Sequence, residues 1–170
     1  MGVTIHFQGK LRSAGHMPKL QEALLPWAKR WKTELVDVDI PEADIIRVRN
    51  GKVEESIGRL RGCHVFPHKD SEPLRFWFTD DLYMESFCKT QFAPVDTHIE
   101  VVELLRVVKP LFTGFKVIDE GGYWETSDRE ELARRIGFLN SAIDRIASMF
   151  PPAPEEVMRR FGGTPKSGEN

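Results

Sequence analysis

Cysteine is nearly missing from this chain. Cys63 and Cys88 are the only two, 25 positions apart, a spacing that fits neither a zinc knuckle nor a disulfide scaffold. A reducing cytoplasm is the simplest setting for such usage. Long apolar runs are missing as well, so no segment is suited to cross a bilayer as a helix. The opening MGVTIHFQGK lacks the basic stretch and apolar core of a secretory leader. Gly2 follows Met1, but position 6 is His6 where a myristoylation signal wants Ser or Thr. Charge of one sign is absent too: 24 basic side chains nearly balance 26 acidic ones, which leaves no electrostatic footprint for nucleic acid or an anionic membrane. No GxxxxGK[ST], GxGxxG after a strand, GxSxG or CxxC occurs, and NTPase, dinucleotide oxidoreductase and serine hydrolase readings fall with them. The expectation is a soluble cytoplasmic protein with no membrane or nucleic-acid partner.

What is present reads as one α+β domain. Val3, Ile5 and Phe7 alternate with polar neighbours as a strand with one buried face does. Leu20, Ala23, Leu24, Trp27 and Trp31 then recur at helical spacing after Pro18, with Pro26 expected to kink or break that helix. TELVDVDI is a second strand. Asn50-Gly51 between alternating segments is a strong hairpin signal, since both residue types tolerate positive φ. RLRGCHVF, EPLRFWFT and LYMESF continue a strand meander. Thr97 and Glu100 have the form of a capping box before a helix that Pro110 ends. FKVID is one more strand. Leu132, Ile136, Leu139, Ile143, Ile146 and Phe150 step by four and three, the pattern of a long helix packed along one stripe. Ser127 and Glu130 are the capping box expected at its start.

The order β-α-β, β-meander, α-β-α predicts a two-layer sandwich, a mostly antiparallel sheet of about five to seven strands covered on one face by three helices. A ferredoxin-like core with an inserted hairpin is a variant of the same order. Residues 1–150 form the expected domain. Residues 151–170 begin with the proline-rich PPAP and are expected to be a flexible tail, in which Val157 and Phe161 share a helical spacing suited to docking.

Several stretches could carry function. In GCHVFPHKDSEP, His64, His68, Asp70 and Glu72 share parity, and with His98 they supply the imidazole and carboxylate donors that zinc or iron takes. Such a set would serve a metal-assisted hydrolase or isomerase, although Pro67 and a turn-prone Lys69-Asp70-Ser71 interrupt the strand. Cys88 and His98 could pair as nucleophile and base. His98 falls in the first helical turn, where the dipole disfavours its charged form. In DEGGYWETSD, residues 119–128, glycines Gly121 and Gly122 and the helix start explain much, but not Tyr123 and Trp124 set among carboxylates. Trp77 projects opposite Phe76 and Phe78 and, with Tyr83 across a turn, would make an aromatic patch of the kind that marks association. No catalytic residue and no cofactor is assigned. The favoured reading is a non-catalytic binding or assembly protein that contacts a protein partner, or itself, through Trp77, Tyr83, Gly121, Gly122, Tyr123, Trp124 and Phe161. A small-ligand sensor with a pocket beside Trp124 is the third reading.

Overall fold

The computed structural model describes residues 2–149 of the 170. In chain order it contains β1 (Thr4–Leu11), α1 (His16–Arg30), β2 (Val36–Arg49), β3 (Lys52–Val65), β4 (Leu74–Phe78), β5 (Tyr83–Lys89), α2 (Val95–Val108), a 3₁₀ turn (Lys109–Leu111), β6 (Phe112–Asp119), α3 (Tyr123–Thr126) and α4 (Arg129–Met149). The α+β class and the antiparallel pairing follow the sequence reading. The architecture differs in detail: the strands form two sheets of three, β5-β1-β6 and β2-β3-β4, with four helices among the described residues.

Two physical causes account for the difference. Backbone hydrogen bonds tie the β4 and β5 segments at their two ends, Thr79 N to Tyr83 O at 3.0 Å and Glu72 N to Lys89 O at 2.9 Å, while each strand completes its ladder with a different neighbour. Followed through that turn, the order β6-β1-β5-β4 is what a ferredoxin-like core needs, but the ladder is interrupted where its third pairing would be. The fourth helix, α3, is a single turn inside DEGGYWETSD, too short to leave a periodic trace.

One face of the β5-β1-β6 sheet and the end of the second sheet supply Ile5, Phe7, Leu11, Phe76, Phe78 and Met84 to the core, closed by Leu20, Leu24 and Ala28 of α1 and Val101, Leu104, Leu105 and Val108 of α2. Each large side chain buried there stabilises the fold by about 1.5–3 kcal/mol. Packing overrides Pro26: α1 runs through it, because Leu24 and Ala28 on either side are buried while Pro26 itself is exposed.

Neither expected capping box forms. Thr97 is buried inside the first turn of α2, and Glu100 instead accepts from Trp31 Nε1 at 2.6 Å and pairs with Arg30 at 2.8 Å. At α4 the cap is Asp128, whose Oδ1 accepts the Glu131 N–H at 2.9 Å, while Ser127 takes a left-handed conformation (φ 53°). The α4 stripe is packed only at its start. Leu132 and Ile136 are buried, whereas Ile143 and Ile146 are exposed, and Phe150 lies outside the described residues. The helix, about 31 Å long at 1.5 Å per residue, therefore covers the body with its first turns alone.

Asn50 and Gly51 do turn the chain with positive φ (50° and 75°) in a two-residue loop. Because β4 pairs with β3 only over Arg61–Val65, the rest of the β2-β3 hairpin extends as a two-stranded arm. Arg47 holds the arm to the body. Its guanidinium bonds to Thr79 and Asp81 and lies 4.9 Å from the Tyr83 ring centroid.

Candidate functional site

Asp119 ends β6 and is folded under the loop that follows. Its Oδ1 accepts the Gly121 N–H at 2.7 Å and its Oδ2 the Trp124 N–H at 2.8 Å. His98 Nε2 lies 3.0 Å from Oδ1, in close contact though not aligned as a straight hydrogen bond. On the other side of the ring, His98 Nδ1 is 2.7 Å from the Thr90 hydroxyl. The chain of contacts is satisfied when Thr90 donates to Nδ1 and the Nε2 hydrogen faces Asp119. Burial alone would raise the Asp119 pKa. His98 and the two backbone N–H groups outweigh it and hold the carboxyl below its ordinary range.

Hydroxyl, imidazole and carboxylate in series invite a catalytic reading, but the His98 and Asp119 side chains are 0% exposed, so no substrate reaches them. The relay is a clasp. It ties the first turn of α2 to the end of β6 and fixes the backbone of Gly121 and Trp124. Gly121 is required by that closeness: a Cβ there would sit 2.6 Å from Leu132 Cδ1 and 2.9 Å from His98 Nε2. Gly122 has φ 76°, open chiefly to glycine.

The clasp positions Trp124. Arg106 caps the carbonyl end of α3, donating to Trp124 O and Ser127 Oγ at 3.0 Å each, and its guanidinium stands 5.9 Å from the Tyr123 ring and 5.6 Å from the Trp124 ring. Lys109 lies 5.7 Å from the Trp124 ring on the same side chain cluster. Trp124 thereby closes one end of a groove of about 740 Å³ on the helix-free face of the β5-β1-β6 sheet. Cross-strand register sets the floor: Phe87, His6 and Ile118 form one row, and Glu85, Gln8 and Lys116 the next. Ile118 is 69% exposed and Phe87 45%. Ile46, at the base of the arm, forms the other margin.

Past that margin the apolar surface continues. Asp44 pairs with Ile57, Ile46 with Glu55 and Val48 with Val53, so these six share one face of the ribbon. Its four aliphatic members are between 63% and 76% exposed. A two-stranded ribbon with an uncovered apolar face is marginal in water.

The other candidates are placed as follows. Trp77 is half-buried, 5.9 Å from the His64 ring and 5.6 Å from the Arg75 guanidinium. Tyr83 lies under Arg47. Tyr123 is half-buried against the core, and Gly121 and Gly122 are buried. Phe161, with Val157, lies outside the described residues. His64 packs edge-on to Phe66, and burial followed by Arg75 lowers its pKa. His68 Nδ1 is 3.6 Å from Asp70 Oδ2, Glu72 accepts the Lys89 N–H, and His98 is in the clasp. The structure brings His68 and Asp70 together, and among the described residues no three such donors are grouped to hold a metal. The Cys88 thiol donates to Glu72 O at 3.2 Å, not to His98, and burial pushes its pKa up to about 12, which removes the thiolate a nucleophile needs.

Sequence reasoning misses Thr90 and Asp119 as partners of His98, and that the aliphatic face of the arm is left uncovered. The sequence trace of that face is the alternation of Ile46 and Val48 with Arg47 and Arg49 beside Asn50-Gly51. No protein-family model, no curated protein and no solved structure matches the chain.

Proposed function

We propose that this chain is a non-catalytic binding or assembly protein whose contact surface is the groove between Trp124 and the β2-β3 arm together with the apolar face of that arm. The observation that carries the reading is the exposure of Ile46, Val48, Val53 and Ile57 on one side of a ribbon that is contiguous, through Ile46, with the exposed Phe87 and Ile118. Exposed aliphatics on a ribbon without a third strand cost solubility and stability unless they are covered in use. Trp124 is the aromatic element of the sequence reading that reaches this surface, held in place by Asp119 and Arg106.

The test is native mass spectrometry of the protein isolated from its own host at natural abundance, beside a chain carrying Phe87→Asp and Ile118→Asp. The expected spectra are a complex with at least one further protein subunit for the natural chain and a free chain for the variant. A natural chain that runs free, or a variant that keeps its partner, counts against the proposal.

A further inference from the structure

The arm and the groove carry net charges of opposite sign, and the groups that bear them enter no ion pair among the described residues. Between Asp44 and Ile57 the apolar face of the arm bears two charged groups, Asp44 and Glu55, both acidic, and Arg59, next on that face of β3, is paired with Asp39. The groove bears Lys109 beside Trp124 and Lys116 in the row with Gln8, with Glu85 at the far end of that row. Among the described residues, Asp44, Glu55, Lys109 and Lys116 enter no ion pair, whereas His6 and Glu120 at the groove rim pair with each other at 3.6 Å. The acidic apolar ridge and the basic apolar trough are both present on the same chain.

We infer that the partner is a second copy of this chain, the two related by a twofold axis so that each lays the Asp44–Ile57 arm into the groove of the other. The inference rests on the binding reading above and specifies its occupant. Symmetry favours it, because a twofold interface requires a surface complementary to itself. So does size: one arm, roughly 20 Å long, is too small alone for the ~800 Å² per partner of a stable interface, while reciprocal docking engages the arm and the groove of both chains at once. The apolar residues supply the affinity, and the acid-to-lysine contacts set which way the arm lies.

Charge exchange on the full-length purified chain tests this by sedimentation equilibrium at low salt. The natural chain should be a dimer. Glu55→Lys puts a lysine against Lys116 at both contacts, and Lys116→Glu puts an acid against Glu55 at both, so each variant alone should dimerise at least about tenfold more weakly. Mixed in equal amounts, the two should regain the natural constant. In the mixed dimer one contact is reversed as a pair and the other is native. Both substitutions are at exposed positions, and circular dichroism of each variant checks that the fold is kept.

A natural chain that stays monomeric at 100-fold above the concentration of the isolated protein overturns the inference. It leaves the binding reading intact if native spectra still show a different protein bound. A dimer indifferent to both reversals, or lost on Ile146→Asp in α4 and unaffected by the mixing, also overturns it. Restoration on mixing is an outcome that only arm-in-groove contact between two copies produces.

Discussion

Asp119→Ala removes the acceptor that three donors share. In the folded protein the Gly121 and Trp124 N–H groups and His98 Nε2 converge on one carboxylate at 2.7, 2.8 and 3.0 Å, and the His98 and Asp119 side chains are closed from solvent. Deleting one partner of a buried, charge-assisted network costs about 3–5 kcal/mol, most of it from the unpaired groups that stay behind. For a domain of this size each kcal/mol moves the midpoint by about 2–4 °C, so the thermal midpoint should fall by roughly 6–20 °C. Urea unfolding at pH 7, followed by circular dichroism, gives the free energy directly. The pH dependence supplies an independent sign. The folded-state pKa of Asp119 is depressed, so its contribution is present above the unfolded value near 3.9 and is lost as pH falls through the lower folded value. The gap between natural and variant proteins should therefore narrow below about pH 4. A variant within 2 °C of the natural protein, or a gap that stays constant down to pH 2, would refute the clasp.

Gly121→Ala should destabilise by about 1–3 kcal/mol through overpacking against Leu132 and His98, measured by the same urea titration; a neutral result would mean that the loop has room the geometry denies. Arg47→Met should free the arm from Thr79 and Asp81, raising amide exchange across residues 44–57 while the global midpoint changes little, since the Asp81 side of that pair is half exposed. The same substitution should return the Asp81 pKa from about 2, where chiefly Arg47 holds it, toward the ordinary carboxylate value; carboxyl NMR titration reads this directly. Cys63 and Cys88, both pushed up to about 12 by burial, should resist a thiol-specific reagent at pH 8 until the protein unfolds, and rapid labelling of either in the folded state would contradict their placement.

Local signals were legible from sequence, and long-range ones were not. Asn50-Gly51 specifies its own turn, and the alternation of the β4 and β5 segments their strands, because turn chemistry and side-chain period act over a few residues. Thr97 with Glu100, and Ser127 with Glu130, satisfied the capping pattern yet were claimed by tertiary partners: burial for Thr97, Trp31 and Arg30 for Glu100, Arg106 for Ser127. The sequence places His98 at a helix start, but Thr90 reaches it through the turn that joins β5 to α2, and Asp119 only by the way β6 returns beside β1. The alternation in the arm showed a strand with an apolar face. That the face stays uncovered depends on how far β4 reaches along β3, which no periodicity records.

Hydroxyl-radical footprinting of the full-length chain, compared between dilute protein and the assembled state, tests the central claim most directly, because it reads side-chain exposure. The account predicts that Ile46, Val48, Val53, Phe87 and Ile118 react freely when dilute and become protected together on assembly, while the α4 residues Phe138, Ile143 and Ile146 keep their reactivity. Protection confined to α4, or no change in the arm and the groove when a complex forms, would contradict it.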